Sequence, residues 1–359
     1  MCIRDSTGSD IEVIAPDGSK LGGVKENDGD NLIFNLTTIL DQKDSTDDGI
    51  YTVNITPVDN TGIAGTTQKF SLVYDTQKPE VVSVSHVELF ANTSYTNGEI
   101  SEIEVNLQDK GNSDIDFENS KVIMTRQGIE ETDEDSQLVG KLTNNQVDTI
   151  WLTLDTPLSS DGKSDGKYTV ELEILDKAGN ELKKSYPVIF DTKPPTASLN
   201  VPDENQVITG EINEIVVQIE DSPGASGVDL NASSVELTGP DGSIPMNKND
   251  NGVDTLIYTF MQLSKNGDDD GTYLINVTSQ DKAGNISNQQ FEFFYIAKAP
   301  KMISAVPGKD AFVNRLDTVN VTFSQTGQPI DLKNFDLVVL SPPDEKELPG
   351  TVEAEDNTI

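Results

Sequence analysis

Aspartates at matched positions are the side chains of this 359-residue chain whose spacing suggests chemistry. The two sets are Asp75, Asp109, Asp148 and Asp176, and then Asp191, Asp221, Asp254 and Asp281. Both sets occupy the same four positions of an internal repeat. Ca²⁺ binds about 6 to 8 oxygen ligands. Several carboxylates, together with carbonyls from a glycine-rich loop, can supply such oxygens. The pattern therefore indicates calcium binding.

A second interpretation of these aspartates is plain turn chemistry, because Asp and Asn favour turns for backbone reasons alone. The next copy of the pattern is incomplete. Ile296 stands in place of the linker aspartate, and Gln325 in place of the aspartate after the second strand. Joint loss is what a shared metal site predicts, although drift of one divergent repeat explains it too. The sequence leaves both interpretations open.

Residues for common catalytic sites are scarce in this sequence. His86 is the only histidine and Cys2 the only cysteine, so neither a hydrolytic triad nor a zinc site can recur in every repeat. Paired carboxylates carry little information in a chain with 62 acidic residues. The sequence contains no glycine-rich phosphate loop. We expect a protein that is not an enzyme.

The charge balance narrows the possible partners. The chain has 62 acidic and 25 basic residues and a net charge of −37, which repels nucleic acid and anionic lipid. Cations are the natural partners, although a solvated surface suited to a salty exterior explains the acidity as well. No apolar run approaches the roughly 20 residues of a membrane helix, which predicts no membrane insertion of this segment.

A motif that returns three times in one register defines the organisation of the chain. It reads DDGIYTV from Asp47, SDGKYTV from Ser164 and DDGTYLI from Asp269. Eight residues after each tyrosine an Asp-x-x-Gly loop begins, and a linker ending in proline follows. Unrelated segments rarely share such spacing, so the chain is predicted to be a tandem array.

The linker prolines Pro79, Pro194 and Pro300 set the predicted domain boundaries. The first six residues, MCIRDS, are similar to the translated end of a sequencing adapter, and we expect residues 1–6 to be an artefact. The remaining segments are 7–78, a partial domain with C-terminal strands, 79–193 and 194–299, two complete domains, and 300–359, a partial domain with N-terminal strands. We expect the chain to be an internal fragment of a longer protein.

The elements that position these motifs are short strands. In the second segment, alternating or β-branched runs predict strands at 81–89, 100–107, 121–126, 149–154, 168–175 and 185–190, with a short one at 138–142. Turn signals agree, because Pro-Asp-Gly occurs at residues 16–18 and 240–242, after the third strand of its repeat. About seven strands per ~110 residues predict a β-sandwich.

The motif Asp-x-Gly-x-Tyr-x-Val resembles the tyrosine corner of immunoglobulin-type sandwiches. Val53, Val170 and Ile275 then stand where antibody domains carry a cysteine. The longer pattern DGxYxV…DKAGN…FDTxxP is similar to bacterial Ig-like repeats of secreted surface proteins and adhesins, over residues 7–359. The resemblance implies an all-β protein of tandem immunoglobulin-like β-sandwiches, with about seven strands each, arranged as an elongated array.

The same resemblance implies roles for single residues. Tyr51, Tyr168 and Tyr273 are expected to bury their rings and donate to nearby backbone, holding strands together. Strand alternation, and not the resemblance, gives the expectations for two further residues. Trp151 is expected to be in the core or partly covered, and not a sugar-stacking platform. His86 is expected at the surface.

Immunoglobulin topology also predicts where the aspartates lie. The loops after the second, fourth and sixth strands lie at the end of a domain that faces its predecessor, so each aspartate set would gather at a domain junction. We expect a calcium-stiffened stalk or spacer at an extracellular or cell-surface location, with neighbouring repeats of the same chain as partners. The alternatives are a binding module for a surface glycan or protein, and an accessory region of a large secreted hydrolase.

Overall fold

The computed structural model describes residues 8–28, 31–40, 45–59, 61–128, 136–324, 340–341 and 346–347, so residues 1–6 and Gln325 lie outside it. The chain forms two compact units. The first comprises Met1–Lys193, Ser222–Ser226 and Lys282–Asn285, and the second comprises Pro194–Asp221, Gly227–Asp281 and Ile286–Ile359. Within the described residues, the regular secondary structure consists of β-strands alone. A membrane-crossing helix is not found among them.

The N-terminal part of the first unit contains five strands. They are β1 (Asp10–Ile14), β2 (Gly23–Asp28), β3 (Asn31–Leu36), β4 (Gly49–Thr56) and β5 (Gln68–Tyr74). Strand β4 lies between β1 and β5 in an antiparallel sheet, and β2 and β3 form a hairpin. The chain leaves β5 directly at Asp75, the first of the predicted calcium ligands.

The rest of the first unit is a two-sheet sandwich. Its strands are β6 (Glu80–Val84), β7 (Ser94–Thr96), β8 (Ile100–Gln108), β9 (Lys121–Arg126), β10 (Ser136–Gln137), β11 (Gly140–Asn144), β12 (Thr149–Leu158), β13 (Gly166–Leu175) and β14 (Glu181–Phe190). One sheet has the order β10-β9-β13-β14-β7 and the other β11-β12-β8-β6. Strand β7 pairs parallel to β14, whereas the other pairs are antiparallel.

Strict alternation along the strands builds the core between these sheets. On β13, Tyr168, Val170, Leu172 and Ile174 are buried while the residues between them are not. Ile103 and Val105 of β8 belong to the same buried cluster. The apolar residues of the alternating runs that predict these strands therefore form the inner face of the sandwich.

The second unit contains a sandwich with closely matching topology. Its strands are β15 (Thr196–Val201), β16 (Val207–Ile208), β17 (Glu214–Glu220), β18 (Ser234–Gly239), β19 (Gly242–Ile244), β20 (Met246–Asp250), β21 (Thr255–Phe260), β22 (Gly271–Gln280) and β23 (Ile286–Tyr295). The sheets run β15-β17-β21-β20 and β16-β23-β22-β18-β19. Two hairpins follow, β24 (Met302–Val306) with β25 (Asn320–Phe323), and β26 (Leu340–Ser341) with β27 (Lys346–Glu347). These sandwiches confirm the predicted all-β, immunoglobulin-like fold class.

Two predicted strands differ from the structure for identifiable reasons. The strand predicted at 81–89 ends at Val84, because His86 adopts a positive φ of 60° that an extended strand does not allow. The strand predicted at 138–142 is replaced by β10 and β11, which pair with opposite sheets. Strand β7 was not predicted, because its three residues are too few to show a periodic pattern.

Candidate metal centre

Three aspartates of the first unit converge from three segments. Asp75 follows β5, Asp109 follows β8, and Asp176 follows β13. A carboxylate oxygen of each lies within 4.8 Å of the others. Asp75 is 8% exposed and Asp176 is 1% exposed, and Asp109 is partly buried. The structure thus brings together three of the four residues predicted for this junction.

Local hydrogen bonds orient two of these carboxylates. The backbone N–H of Gly111 donates to Asp109 Oδ1 at 3.0 Å, and the Ser113 hydroxyl to Oδ2 at 3.3 Å. Asn180 donates to Asp176 twice, from its backbone N–H to Oδ1 at 2.8 Å and from Nδ2 to Oδ2 at 2.9 Å. These bonds fix both carboxylates before any ligand binds.

The carboxylate of Asp75 is only half satisfied. The backbone N–H of Gln77 donates to Oδ1 at 2.9 Å. The other oxygen, Oδ2, is buried and has no hydrogen-bond partner among the described residues. A buried polar atom without a partner costs on the order of 1–3 kcal/mol, and more when it is charged. A cation at this point would remove that cost.

Two residues around Asp75 were not singled out from the sequence. Asn180 Nδ2 also donates to the backbone oxygen of Asp75 at 3.0 Å, which ties the loop after β13 to the segment after β5. A Cβ at Gly111 would collide with the Asp75 carboxylate, so only glycine permits this approach. The signal for Asn180 was visible, since the DKAGN pentapeptide ends in Asn at residues 180 and 285.

Asp148 and Asp254 lie outside the two groups of three aspartates found among the described residues, and their metal role stays a prediction. Asp148 accepts hydrogen bonds from Asn145 Nδ2 at 2.8 Å and from the Thr149 hydroxyl at 2.9 Å. These bonds, the one from Asn145 foremost, hold the pKa of Asp148 below its usual value. The carboxylate is thus engaged in its own hairpin loop.

The corresponding loop of the second unit repeats this arrangement. Asn251 Nδ2 and the Thr255 hydroxyl donate to Asp254 at 2.8 and 2.9 Å, and they likewise lower its pKa. Asn251 Oδ1 also accepts the backbone N–H groups of residues 253, 254 and 255. At this position the structure supports the turn interpretation.

The other predicted ligands are divided between the units. Asp221 and Asp281 lie in the second unit, with carboxylate oxygens within 4.8 Å of each other. Asp191 belongs to the first unit. Its Oδ2 accepts the Ser226 N–H at 2.9 Å, and its backbone oxygen accepts Asn285 Nδ2 at 2.8 Å. The metal role of all these aspartates stays a prediction.

The three tyrosines form the predicted corner. The hydroxyl of each donates to the backbone oxygen four residues earlier: Tyr51 to Asp47 at 2.7 Å, Tyr168 to Ser164 at 2.6 Å, and Tyr273 to Asp269 at 2.7 Å. All three rings are buried. The tyrosines therefore hold a loop against a sheet, as expected.

The remaining predicted residues lie where the sequence placed them. Trp151 is partly covered, and its indole Nε1 donates to Glu104 Oε2 at 3.0 Å. His86 is exposed. Ile296 follows β23, and its backbone N–H donates to Ile208 O at 2.9 Å, so that position keeps its backbone role without a carboxylate.

Sandwiches with tyrosine corners and repeated Asp-loops define an immunoglobulin-like protein of tandem domains. Residues 158–306 match the model of a family described as bacterial Ig-like domain (group 3), which confirms the resemblance. Residues 158–306 are therefore similar to a bacterial Ig-like domain. Such domains are structural or binding modules and generally lack catalytic activity. No curated protein sequence matches the chain.

Three solved structures show partial similarity to this chain. One is a tetra-tandem repeat in the extending region of a large adhesion protein, at 18% identity and TM-score 0.33, covering 88% of this chain and 72% of that one. Another is the Escherichia coli adhesin FdeC, at 13% identity and TM-score 0.35, covering 79% of this chain and 84% of that one. A third is PcoC, a methionine-rich copper resistance protein from Escherichia coli, at 14% identity and TM-score 0.25, covering 32% of this chain and 100% of that one.

Proposed function

We propose that the chain is a non-catalytic stalk or spacer segment of a large secreted or cell-surface adhesin-like protein. We further propose that Ca²⁺ held by Asp75, Asp109 and Asp176 stiffens the connection between residues 7–78 and 79–193. In tandem arrays each repeat contacts its neighbours, so reach follows the number of repeats and stiffness depends on the connections. A cation bound by groups from both segments restricts the hinge between them.

The buried, unpartnered Oδ2 of Asp75 carries this proposal. It lies in a group of three carboxylates within 4.8 Å, two of which are buried. Like charges this close destabilise one another, and burial increases the cost because solvent cannot screen them. A divalent cation would offset two of the three negative charges and supply the missing partner.

The donor atoms favour Ca²⁺ over other cations. All three side chains offer carboxylate oxygens, which are hard ligands, whereas structural zinc sites are built mainly from cysteine and histidine. Mg²⁺ demands near-ideal octahedral geometry and releases its water reluctantly. The carboxylates here are held by Gly111, Ser113 and Asn180 in positions set by the loops, which suits the more permissive coordination of Ca²⁺.

Thermal unfolding of the full chain tests the calcium site. We expect millimolar Ca²⁺ to raise the melting midpoint by roughly 5–10 °C over EDTA, since a ligand at a hundred times its Kd stabilises the folded state by about 2.7 kcal/mol. Mg²⁺ should have a smaller effect. Asp75→Asn should reduce the calcium-dependent rise. In EDTA the same substitution should raise the midpoint, because it removes one of three like charges.

Asp148→Asn is the matched control, because this aspartate lies outside the cluster. It should change the midpoint equally in EDTA and in Ca²⁺, which leaves the calcium-dependent rise intact. Identical melts of the unmodified chain in EDTA and Ca²⁺ would refute the site. A calcium-dependent rise that Asp75→Asn leaves unchanged would refute its location.

A further inference from the structure

A cavity of about 340 Å³ in the first unit has an unusual concentration of cations. Its charged lining residues are Arg126, Lys163, Lys167, Lys193, Asp165 and Asp191. Only 25 of the 359 residues are Lys or Arg, and the net charge of −37 repels anions from most of the surface. Four cations around one cavity are therefore a local feature that the overall composition does not explain.

Asp165 lines this cavity and has a buried oxygen that accepts no hydrogen bond. Its Oδ1 accepts the Thr192 backbone N–H at 3.1 Å and the Thr192 hydroxyl at 2.8 Å. Its Oδ2 is buried and has no hydrogen-bond partner among the described residues. The Lys193 ammonium lies 3.8 Å from this oxygen, beyond hydrogen-bond distance. This oxygen therefore forms an ion pair with Lys193 and accepts no hydrogen bond, and because it is buried a ligand hydroxyl reaches it only if a neighbouring side chain moves.

Equivalent aspartates in the other repeats are fully bonded. Asp48 Oδ2 accepts the Thr76 hydroxyl at 3.2 Å and Gln77 Nε2 at 3.3 Å. Asp270 Oδ2 accepts the Lys298 backbone N–H at 3.1 Å. Each of these aspartates precedes the glycine of the Asp-Gly-x-Tyr motif, as Asp165 does. The oxygen without a hydrogen bond is therefore particular to the middle repeat and is not a property of the motif.

The side chain that packs against the motif glycine also distinguishes this repeat from the other two. Pro16 packs over Gly49, and Pro240 packs over Gly271. The guanidinium of Arg126 takes that place over Gly166, at 3.4 Å from the position of a Cβ. Arg126 Nη2 donates to the Asp165 backbone oxygen at 2.9 Å, and the guanidinium lies 5.9 Å from the Tyr168 ring centre. Its planar donor group is thereby held at the cavity.

We propose that this cavity binds an anionic sugar, a hexuronate, whose carboxylate contacts Arg126 and Lys193 and whose hydroxyl donates to Asp165 Oδ2. The planar guanidinium suits a carboxylate. The four cations disfavour an ammonium as the donor to Asp165, so a neutral hydroxyl is the better match. A single uronic acid ring carries both groups, and the volume lies in the usual range for small-ligand sites. This binding function depends on neither calcium nor the spacer role.

Ligand-observed NMR titration of the full chain in EDTA tests the site with four probes. D-glucuronate should bind saturably, with a Kd on the order of a millimolar for so small an anion. D-glucose lacks the carboxylate and acetate lacks the hydroxyls, so each should bind at least about tenfold more weakly. An aspartyl-aspartate dipeptide, which lacks hydroxyls, should also bind more weakly.

Two variants locate the binding, and one serves as control. Lys193→Gln and Asp165→Asn should each weaken D-glucuronate binding about tenfold, the loss expected for one charge-assisted hydrogen bond. Lys141→Gln removes the same charge at an exposed residue of β11 and should leave the Kd unchanged. A circular dichroism melt checks that each variant is folded. If Asp165→Asn does not fold, the D-glucuronate Kd of Lys193→Gln alone locates the binding.

Four results would overturn the proposal. They are no saturable binding of D-glucuronate, equal binding of acetate or D-glucose, tighter binding of the dipeptide, and an unchanged Kd in Lys193→Gln. Because EDTA is present throughout, a negative result here leaves the calcium proposal unaffected.

Discussion

A single hydroxyl makes the hydrogen bond of each tyrosine corner. At Tyr273 the surroundings of this hydroxyl also shift its pKa. Burial, followed by the nearby Asp269 carboxylate, raises the pKa of Tyr273 from its usual 10.0 to about 12. Ionisation of the phenol would break the hydrogen bond donated to Asp269 O. The protonated phenol is therefore the form that the fold requires.

Tyr273→Phe should lower the free energy of unfolding by about 1 kcal/mol at neutral pH, because it deletes one intramolecular hydrogen bond without emptying the core. In the unmodified chain the pKa is higher in the folded than in the unfolded state. The stabilisation is therefore fully present below pH 10 and is lost as the pH rises through about 12. Urea unfolding from pH 8 to 12 measures both effects.

Tyr186→Phe is the control, since Tyr186 lies on β14 away from any corner. Its pKa is raised by burial alone, and no corner bond depends on it. If Tyr273→Phe and Tyr186→Phe lose stability equally at pH 8, the corner hydrogen bond at Tyr273 contributes nothing specific.

The loop that follows β8 is the element on which the metal centre depends. It turns at Gly111, places Asp109 beside Asp75, and returns to the sheet where Ile115 bridges Asp176. Its length and its glycine allow a carboxylate from a distant segment to approach the loop backbone. A side chain at residue 111 would close that space.

Gly111→Ala should displace the Asp75 carboxylate, which its Cβ would otherwise overlap. We expect a loss of about 1–3 kcal/mol in EDTA from overpacking and a calcium-dependent rise in melting midpoint reduced by more than half. Gly98→Ala is the control, because a Cβ there meets no atom within 4 Å. Equal calcium responses in the two variants would contradict the assigned role of this loop.

Some elements could be predicted from the sequence because their signal is local. The strand at Lys121–Arg126 has the bounds that its alternation predicts, and the Pro-Asp-Gly at residues 240–242 forms the turn between β18 and β19. Strand β7 could not be predicted, because its partner β14 is distant in sequence and its pairing is set by the completed sheet.

At the scale of the whole molecule, the threefold repetition of one motif predicts a tandem immunoglobulin-like fold, since each copy supports the same assignment. Alignment also identifies which aspartates are equivalent. It does not identify which carboxylates are free to bind, because Asn145 and Asn251 engage Asp148 and Asp254 through side-chain contacts that alignment positions do not encode. The lack of a hydrogen-bond partner for Asp75 Oδ2 likewise depends on the folded structure and cannot be deduced from the alignment.

Calcium stoichiometry of the full chain, measured by isothermal titration calorimetry, tests the central claim most directly. Asp75→Asn should bind one Ca²⁺ fewer than the unmodified chain, while Asp148→Asn should keep the unmodified stoichiometry. No calcium binding by the unmodified chain, or the same stoichiometry and affinity in Asp75→Asn, would contradict a calcium-stiffened connection and leave a metal-free acidic spacer.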